Sequence, residues 1–539
     1  MQIYSFSPFG YEGALVTVEV DLRKGIPCVD IVGLADSAVK ESRERMQAAI
    51  RNSGFGFPVE RVLISLSPAD LKKEGAGFDL PIALAVLAAN SSAGESEGGL
   101  SASANEPILI MGELELSGKV RAVRGVHAAA STAAGGGILK CIVPSANADE
   151  AREVFGMRVF GADCLEDAFA ALSNNENFTK ASDSSDKGEC AREDCDEIEG
   201  VLFQKVGVDG EFSEMHGQKK LIRALQIAAA GGHNLIAVGA PGCGKTMSMM
   251  KFPALLPLLT TEEAQSVTRI ISLAGLLPPN KSLVRIPPFR MPHQTASIEG
   301  ICGGGPNCRP GEVSLAHNGV LFLDEAAEFR TSVLQMLRVP IETGRVTLAR
   351  AGRSTIYPAS FQLLMASNPC PCGNFGSKTK VCLCSTRSIE MYWKKFSGPL
   401  LDRIDLRVLV ENETAEENRT GDAGGVSSSD ASLFSSTEQL RVGIARAVKI
   451  QRVRQGKRNA KLTPSEVAGL CKIDEASQKT LYAAEERYSL SPRARASILK
   501  LSRTIADMEQ SEKIQEAHIK EAIGFRKELT NFMDMGGGE

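Results

Sequence analysis

The 539-residue chain has no uninterrupted apolar run of membrane-spanning length, which argues against a transmembrane helix and a membrane partner. Its first residues, MQIYSFSPFGYEG, carry neither a charged n-region nor an apolar h-region, so no secretory leader is expected. A global basic field is missing too: 61 Lys and Arg against 65 Asp and Glu give a formal charge of −4. Any contact with nucleic acid must then come from local patches. Most of the 13 cysteines are scattered singly, as at Cys28, Cys141, Cys164 and Cys471, which suits a reducing cytoplasm. What remains, 43% hydrophobic and 23% charged, is an ordinary soluble composition, and the length predicts roughly three to four domains.

The chemistry centres on Gly239-Ala240-Pro241-Gly242-Cys243-Gly244-Lys245-Thr246, a G-x-x-x-x-G-K-T phosphate loop. It follows an apolar run, Asn234 to Val238, that reads as a buried strand, and precedes a helical stretch from Met247 to Leu255. The glycines let backbone N–H groups turn toward a triphosphate, and the helix N-terminus adds positive charge. Lys245 is expected on the β- and γ-phosphates and Thr246 on Mg²⁺. Val320-Leu321-Phe322-Leu323-Asp324-Glu325 is the second nucleotide motif, expected on the strand next to the loop. Asp324 completes Mg²⁺ coordination and Glu325 polarises the attacking water. Asn368, after the apolar run Phe361 to Ser367, is expected to orient that water.

Upstream, residues 1–175 alternate strands (Ala14 to Val20, Arg61 to Leu66, Ile108 to Leu116, Leu139 to Val143) with helices (Asp36 to Asn52, Asp79 to Asn90). Asp36 or Ser37 caps the first helix, and Val39, Arg43, Met46 and Ile50 share its face. Asp183 to Glu199 holds eight acids against Lys187 and Arg192, so 176–204 reads as a flexible acidic linker. Residues 205–410 form the nucleotide domain. Within it, Thr268 to Gly311 is a functional insertion and Leu334 to Ile341 a helix. Gly344 to Ile356 is a β-hairpin with Arg345, Arg350 and Arg353 near its tip. Such a hairpin grips phosphates in a pore, or is a solvated edge. Cys370-Pro371-Cys372 and Cys382-Leu383-Cys384 offer four thiolates to Zn²⁺; a redox cluster or free thiols are the alternatives. Arg403 in SGPLLDRID is either an arginine finger reaching a neighbouring subunit, which requires an oligomer, or half of an intrachain Arg–Asp pair. A second linker covers 411–436. The region 437–539 is helical, opening on a basic stretch, Arg441 to Lys461, that reads as a solvated or phosphate-facing surface. Arg493 begins a later helix and is a candidate γ-phosphate sensor, with Arg495 its rival.

Two resemblances follow from these words. Lys73-Glu74-Gly75-Ala76-Gly77-Phe78-Asp79 with Gly112-Glu113-Leu114-Glu115-Leu116-Ser117-Gly118-Lys119-Val120 resembles the Lon-protease-like, ribosomal S5-type α+β domain. The catalytic serine position falls near Gly77 and the lysine position near His127, so the Ser–Lys dyad is missing and peptidase chemistry is not expected. GAPGCGKT, PGEVSLAHNGVLFLDE, NPCPCG, SGPLLDRID and RTIAD together resemble the magnesium-chelatase-like AAA+ ATPase family. That resemblance implies an α/β multidomain chain: a Lon-like domain, an AAA+ core with a parallel sheet, and a C-terminal helical lid. It also implies ATP and Mg²⁺ as cofactors, a homo-hexameric ring, finger use of Arg403 and sensor use of Arg493. Single-stranded or branched DNA is the implied substrate, worked on by helicase or branch-migration activity. A chelatase-type motor acting on a protein partner is the alternative.

Overall fold

The computed structural model describes residues 2–34, 36–69, 71, 73, 75–93, 106–174, 178–180, 195–213, 215, 218–278, 282–305, 308–350, 353–377, 380–410 and 436–534. Most of the acidic linker (181–194), the polar excursion (94–105), nearly all of the second linker (411–435) and the hairpin tip (351–352) lie outside the described residues.

The N-terminal region is an eight-stranded mixed sheet. Its order is Thr179–Lys180, Arg158–Ala162, Lys140–Pro144, Ile108–Ile110, Ile3–Ser7, Ala14–Arg23, Arg61–Ser67, Val29–Val32. Alternation along each strand feeds two cores. Ile108 and Ile110 pack with the helices Ser37–Asn52 and Asp79–Ala93. Leu109, between them, packs with Val126–Gly135 on the other face. Asp36 caps the first helix by accepting the Val39 N–H at 2.8 Å. Val39, Met46 and Ile50 are buried as expected, but Arg43 is exposed and Ser42 takes its place inside. The reason is a buried anchor: the Asp79 carboxylate accepts from the Ser42 hydroxyl and from Arg45 Nε at 2.8 Å. The strand expected over Ile108 to Leu116 breaks after Ile110, and Glu113–Leu114 pairs separately with Val120–Arg121.

His127 sits near the position where a Lon-like dyad would carry its lysine. It is 1% exposed and neither ring nitrogen has a hydrogen-bond partner. Burial, helped by Arg269, pushes it down to about 4. Its folded value is below the unfolded one, so the stability it contributes is present above about pH 6.5 and lost as pH falls toward 4. The loss amounts to about 3 kcal/mol at pH 4. Denaturant melts between pH 7 and 4.5 should therefore show a shallower acid loss for His127→Leu than for the parent. Identical pH profiles would remove this assignment.

Inside the expected linker, Cys195–Ile198 and Val201–Gln204 form an antiparallel hairpin. The acids obscured an apolar alternation: Val201 and Phe203 point into the core, where the Arg441 guanidinium lies 4.9 Å from the Phe203 ring centre.

The nucleotide region is a five-stranded parallel sheet ordered Phe289–Arg290, Val320–Leu323, Gln362–Ser367, Leu235–Gly239, Leu406–Val410. The insertion therefore contributes the sheet's edge strand. Helix Thr261–Ala274, which runs into it, docks on the N-terminal region. Arg269 donates to the carbonyls of Tyr11 (3.0 Å) and Glu12 (3.1 Å), and Leu273 enters the N-terminal core. The expected helix Leu334 to Ile341 is two short ones, Thr331–Met336 and Arg338–Thr343.

The C-terminal helices Thr437–Gln455 and Pro492–Met508 share a core with one face of this sheet through Ile444, Val448, Leu501 and Ile505. Much of the basic stretch, expected at the surface, is turned inward. Arg441 is 2% exposed and donates to the Ala254 and Gln204 carbonyls, Arg454 pairs with buried Asp507, and Arg458 caps the Ala229 and Ala230 carbonyls. Arg441 and Arg458 hold the helices to the nucleotide domain, Arg454 and Lys457 pair within the helical region, and Lys449 and Arg452 stay exposed.

Candidate active site

The phosphate loop leaves the strand Leu235–Gly239 and enters the helix Lys245–Met250. Gly239 is required by a close approach, since a Cβ there would lie 2.4 Å from the Val410 carbonyl oxygen. Gly242 and Gly244 adopt φ of +82° and +83°, and a Cβ built on either meets nothing within 4 Å. The two glycines thus line open space. Lys245 is 8% exposed and donates to the carbonyls of Gly239 (2.7 Å) and Ala240 (2.9 Å), with Asn368 Oδ1 at 3.5 Å. Among the described residues no carboxylate pairs with it. A buried cation held by carbonyls and the Cys243 sulfur at 3.6 Å, facing an open glycine cradle, fits the anionic phosphates of a nucleotide. Pro241 lies on the outside of the loop, and Cys243 is buried beneath it.

Thr246 Oγ1 donates to Asp324 Oδ1 at 3.0 Å, so the hydroxyl and carboxylate expected to share Mg²⁺ already meet. The strand carrying Asp324 is not next to the loop strand, as expected, but one place further. Gln362–Ser367 lies between, pairing Val238 with Ser367 and Leu323 with Met365. The intervening strand delivers Asn368 between the loop and the acids. Glu325 follows Asp324 in the left-handed region at φ +47° and is exposed, its N–H donating to Asp324 Oδ1 at 3.0 Å. The residue is thereby left outside the core, at the end of the strand that carries Asp324.

Arg403 and Arg493 lie elsewhere. The Arg403 carbonyl accepts from Asn234 Nδ2 at 3.0 Å, and Leu406 is opposite Leu235. Arg403 therefore sits at the entry end of a strand whose exit end carries the phosphate loop. Five residues of strand span about 16 Å, more than an arginine side chain covers. Both guanidiniums converge on Glu342: Arg403 Nη2 on one oxygen and Arg493 Nη2 on the other at 2.9 Å. Arg403 hydrogen bonding holds the Glu342 carboxyl below its ordinary range, with Arg493 adding to it. The partner is glutamate, not the aspartate of the expected Arg–Asp pair. Arg495 pairs with Glu485 at 3.0 Å instead. Glu342 gave no signal in the sequence, being a single acid in an ordinary helix.

With this geometry in view, the comparisons are decisive. The family described as Magnesium chelatase, subunit ChlI matches residues 211–418, with related ChlI families at 18–147 and 435–526. The chain is 38% identical over 526 residues to competence protein ComM of Haemophilus influenzae, covering 97% of each. It is 36% identical over 525 residues to YifB of Escherichia coli, covering 97% of this chain and 96% of that one. The chain belongs to the ComM/YifB-type, magnesium-chelatase-like family. The family suggests ATPase activity and the use of ATP and Mg²⁺. A 28% identity over 185 residues links the chain to the magnesium-chelatase 38 kDa subunit of Acidiphilium rubrum, over 29% of this chain and 52% of that one.

Two further features of this ComM/YifB-type chain complete the site. The hairpin pairs Arg345–Arg350 with Arg353–Pro358. Its second strand is clamped on the N-terminal region, where the Tyr11 N–H donates to Thr355 Oγ1 at 3.3 Å and Tyr357 packs edge-on to Tyr11; Arg345, expected near the tip, lies at the base opposite Pro358, because the strands pair along their whole length. Val346 and Tyr357 turn inward while Arg345 is exposed; the side chains of Arg350 and Arg353 lie outside the described residues. Beyond Asn368, the sulfurs of Cys370, Cys372, Cys382 and Cys384 all lie within 4.8 Å of one another. The Cys372 thiol is drawn down to about 6, chiefly by the Asn374 backbone N–H.

Proposed function

We propose that the chain is a ring-forming ATPase that couples ATP hydrolysis to DNA remodelling, as a helicase or branch-migration motor. One observation carries the ring: Arg403 and Arg493 share Glu342 at the end of the sheet opposite their own phosphate loop. Guanidiniums so placed serve hydrolysis only across a subunit boundary, which a homo-hexamer provides. Bound Mg·ATP supplies the phosphoanhydride whose cleavage drives the motor. Lys245 neutralises phosphate charge, Thr246 and Asp324 hold the metal, Glu325 polarises water and Asn368 orients it. The N-terminal sheet serves as a Lon-like scaffold without peptidase chemistry, and the reading implies a cytoplasmic protein. No described helix is long and apolar enough to cross a membrane.

DNA as the substrate is supported by the exposed Arg345 on a clamped hairpin and by the competence role in the name of the ComM relative. The test is ATP turnover with no DNA and with single-stranded, duplex and forked DNA. Stimulation by forked or single strands is expected, weakening steeply with salt. Replacing Arg345, Arg350 and Arg353 with Ala should weaken DNA binding at least about tenfold and flatten the log–log salt slope by up to about three. The chelatase-type alternative, favoured by the family match, predicts turnover indifferent to every DNA.

A further inference from the structure

We propose that Cys370, Cys372, Cys382 and Cys384 bind one Zn²⁺, and that the metal knot braces the phosphate loop from outside. The sulfurs all lie within 4.8 Å of one another, close enough for one ion. Cys370 lies 3.3 Å from Cys372 and 3.7 Å from Cys382, and Cys372 lies 3.6 Å from Cys382. Four thiolates around Zn²⁺ at about 2.3 Å stand about 3.8 Å apart in a tetrahedron. A disulfide needs about 2.05 Å, and all four cysteines are free. An iron–sulfur cluster places several ions between its thiolates and spreads them wider. Four soft sulfur donors select Zn²⁺ over Mg²⁺ or Ca²⁺. With no position left for water or substrate, the site is structural. The Phe375 N–H donates to Cys370 Sγ at 3.4 Å, the kind of outer contact that stabilises a bound thiolate.

The brace follows from what the cysteines enclose. Gly373, buried between the two halves of the cluster at φ +78°, lies so close to the phosphate loop that a Cβ on it would be 2.5 Å from Pro241 Cδ. Two residues before Cys370, Asn368 faces Lys245, and Trp393 Nε1 holds the Pro369 carbonyl at 3.0 Å. Residues 368–373 thus touch the loop at its proline and at its lysine, yet none of them belongs to a helix or strand. Cross-linking that irregular segment to 382–384 through a metal removes the freedom that would otherwise let Pro241 and Asn368 drift. This second half of the proposal rests on the nucleotide reading of the loop.

The test uses full-length protein purified without chelator from zinc-supplemented cells. Elemental analysis should find one zinc per chain. A Cys382→Ser/Cys384→Ser variant should lose at least tenfold in zinc content and bind a fluorescent ATP analogue about tenfold more weakly. Gly373→Ala keeps all four thiols; it should retain zinc and still lose nucleotide affinity, which separates the brace from unfolding. Less than one zinc per ten wild-type chains, or cysteines found in disulfides, overturns the metal site. Normal affinity in both variants overturns the brace. Zinc-loaded wild type that binds no nucleotide also overturns the brace, but through failure of the nucleotide reading, and leaves the metal count standing.

Discussion

Arg403→Ala should lower ATP turnover of the assembled protein about 10³- to 10⁵-fold while each chain still binds nucleotide. The size of the effect separates two roles. In the structure Arg403 pairs with the partly exposed Glu342 and donates to the Pro399 carbonyl at 2.6 Å. An ion pair with one exposed member contributes about 0–1 kcal/mol, so its loss perturbs stability slightly. Loss of a guanidinium at the phosphates of a neighbouring site costs at least about 4 kcal/mol of transition-state stabilisation. Mixing provides the decisive measurement. Arg403→Ala chains mixed with Lys245→Ala chains, each inactive alone, should regain turnover, because the first keeps an intact loop and the second supplies the finger to it. Arg403→Lys should rescue little, since an ammonium cannot reproduce the planar fork. No turnover in that mixture would leave Arg403 as an intrachain strut and remove the main support for a ring.

Glu325→Gln is expected to keep ATP affinity within about threefold while turnover drops by about 10²- to 10⁴-fold, the range for loss of a positioned base. The separation follows from where the residue sits. Glu325 is exposed, has no side-chain hydrogen bond to the loop among the described residues, and follows the strand in a left-handed backbone conformation. On the proposed reading the phosphates would be held instead by Lys245, now on the Gly239 carbonyl, and the metal by Thr246 with Asp324, which already meet. Glutamine preserves shape and removes the charge. Equilibrium binding with a fluorescent analogue, followed by single-turnover hydrolysis, distinguishes the two steps. Equal loss of binding and turnover would mean that Glu325 belongs to the metal site. Full turnover would move the base elsewhere, Asp324 being a carboxylate already beside the cradle.

Not every part of this arrangement could be read along the chain, and the failures share a cause. The buried strand Val320–Leu323 and the glycine loop are local: a run of apolar residues, a lysine and a hydroxyl within a dozen positions. Their neighbours in the sheet are not local, and the strand placed between them comes from residues 362–367. Arg43 and Ser42 are equally compatible with a helical stripe from Val39, and only the buried Asp79, from another helix, selects Ser42. The acids of 195–199 outweighed the alternation of Ile198, Val201 and Phe203, because the partners that make a hairpin worthwhile, Arg441 among them, are more than 200 positions away. Likewise, the charge run from Arg441 to Lys461 resembles a solvated surface until the carbonyls and carboxylates it meets are known.

The order of motifs alone was enough to determine a phosphate-binding loop, its paired acids and family membership, because each motif concentrates its chemistry in a few consecutive residues whose backbone conformation is set by glycine, proline or β-branching. Folding decided which residues meet across the chain. It brought Asn368 to Lys245, Gly373 to Pro241, and two arginines to a single glutamate on the far side of the sheet. Those contacts depend on strand order and helix docking, which are properties of how whole faces pack, and no short window of sequence contains them.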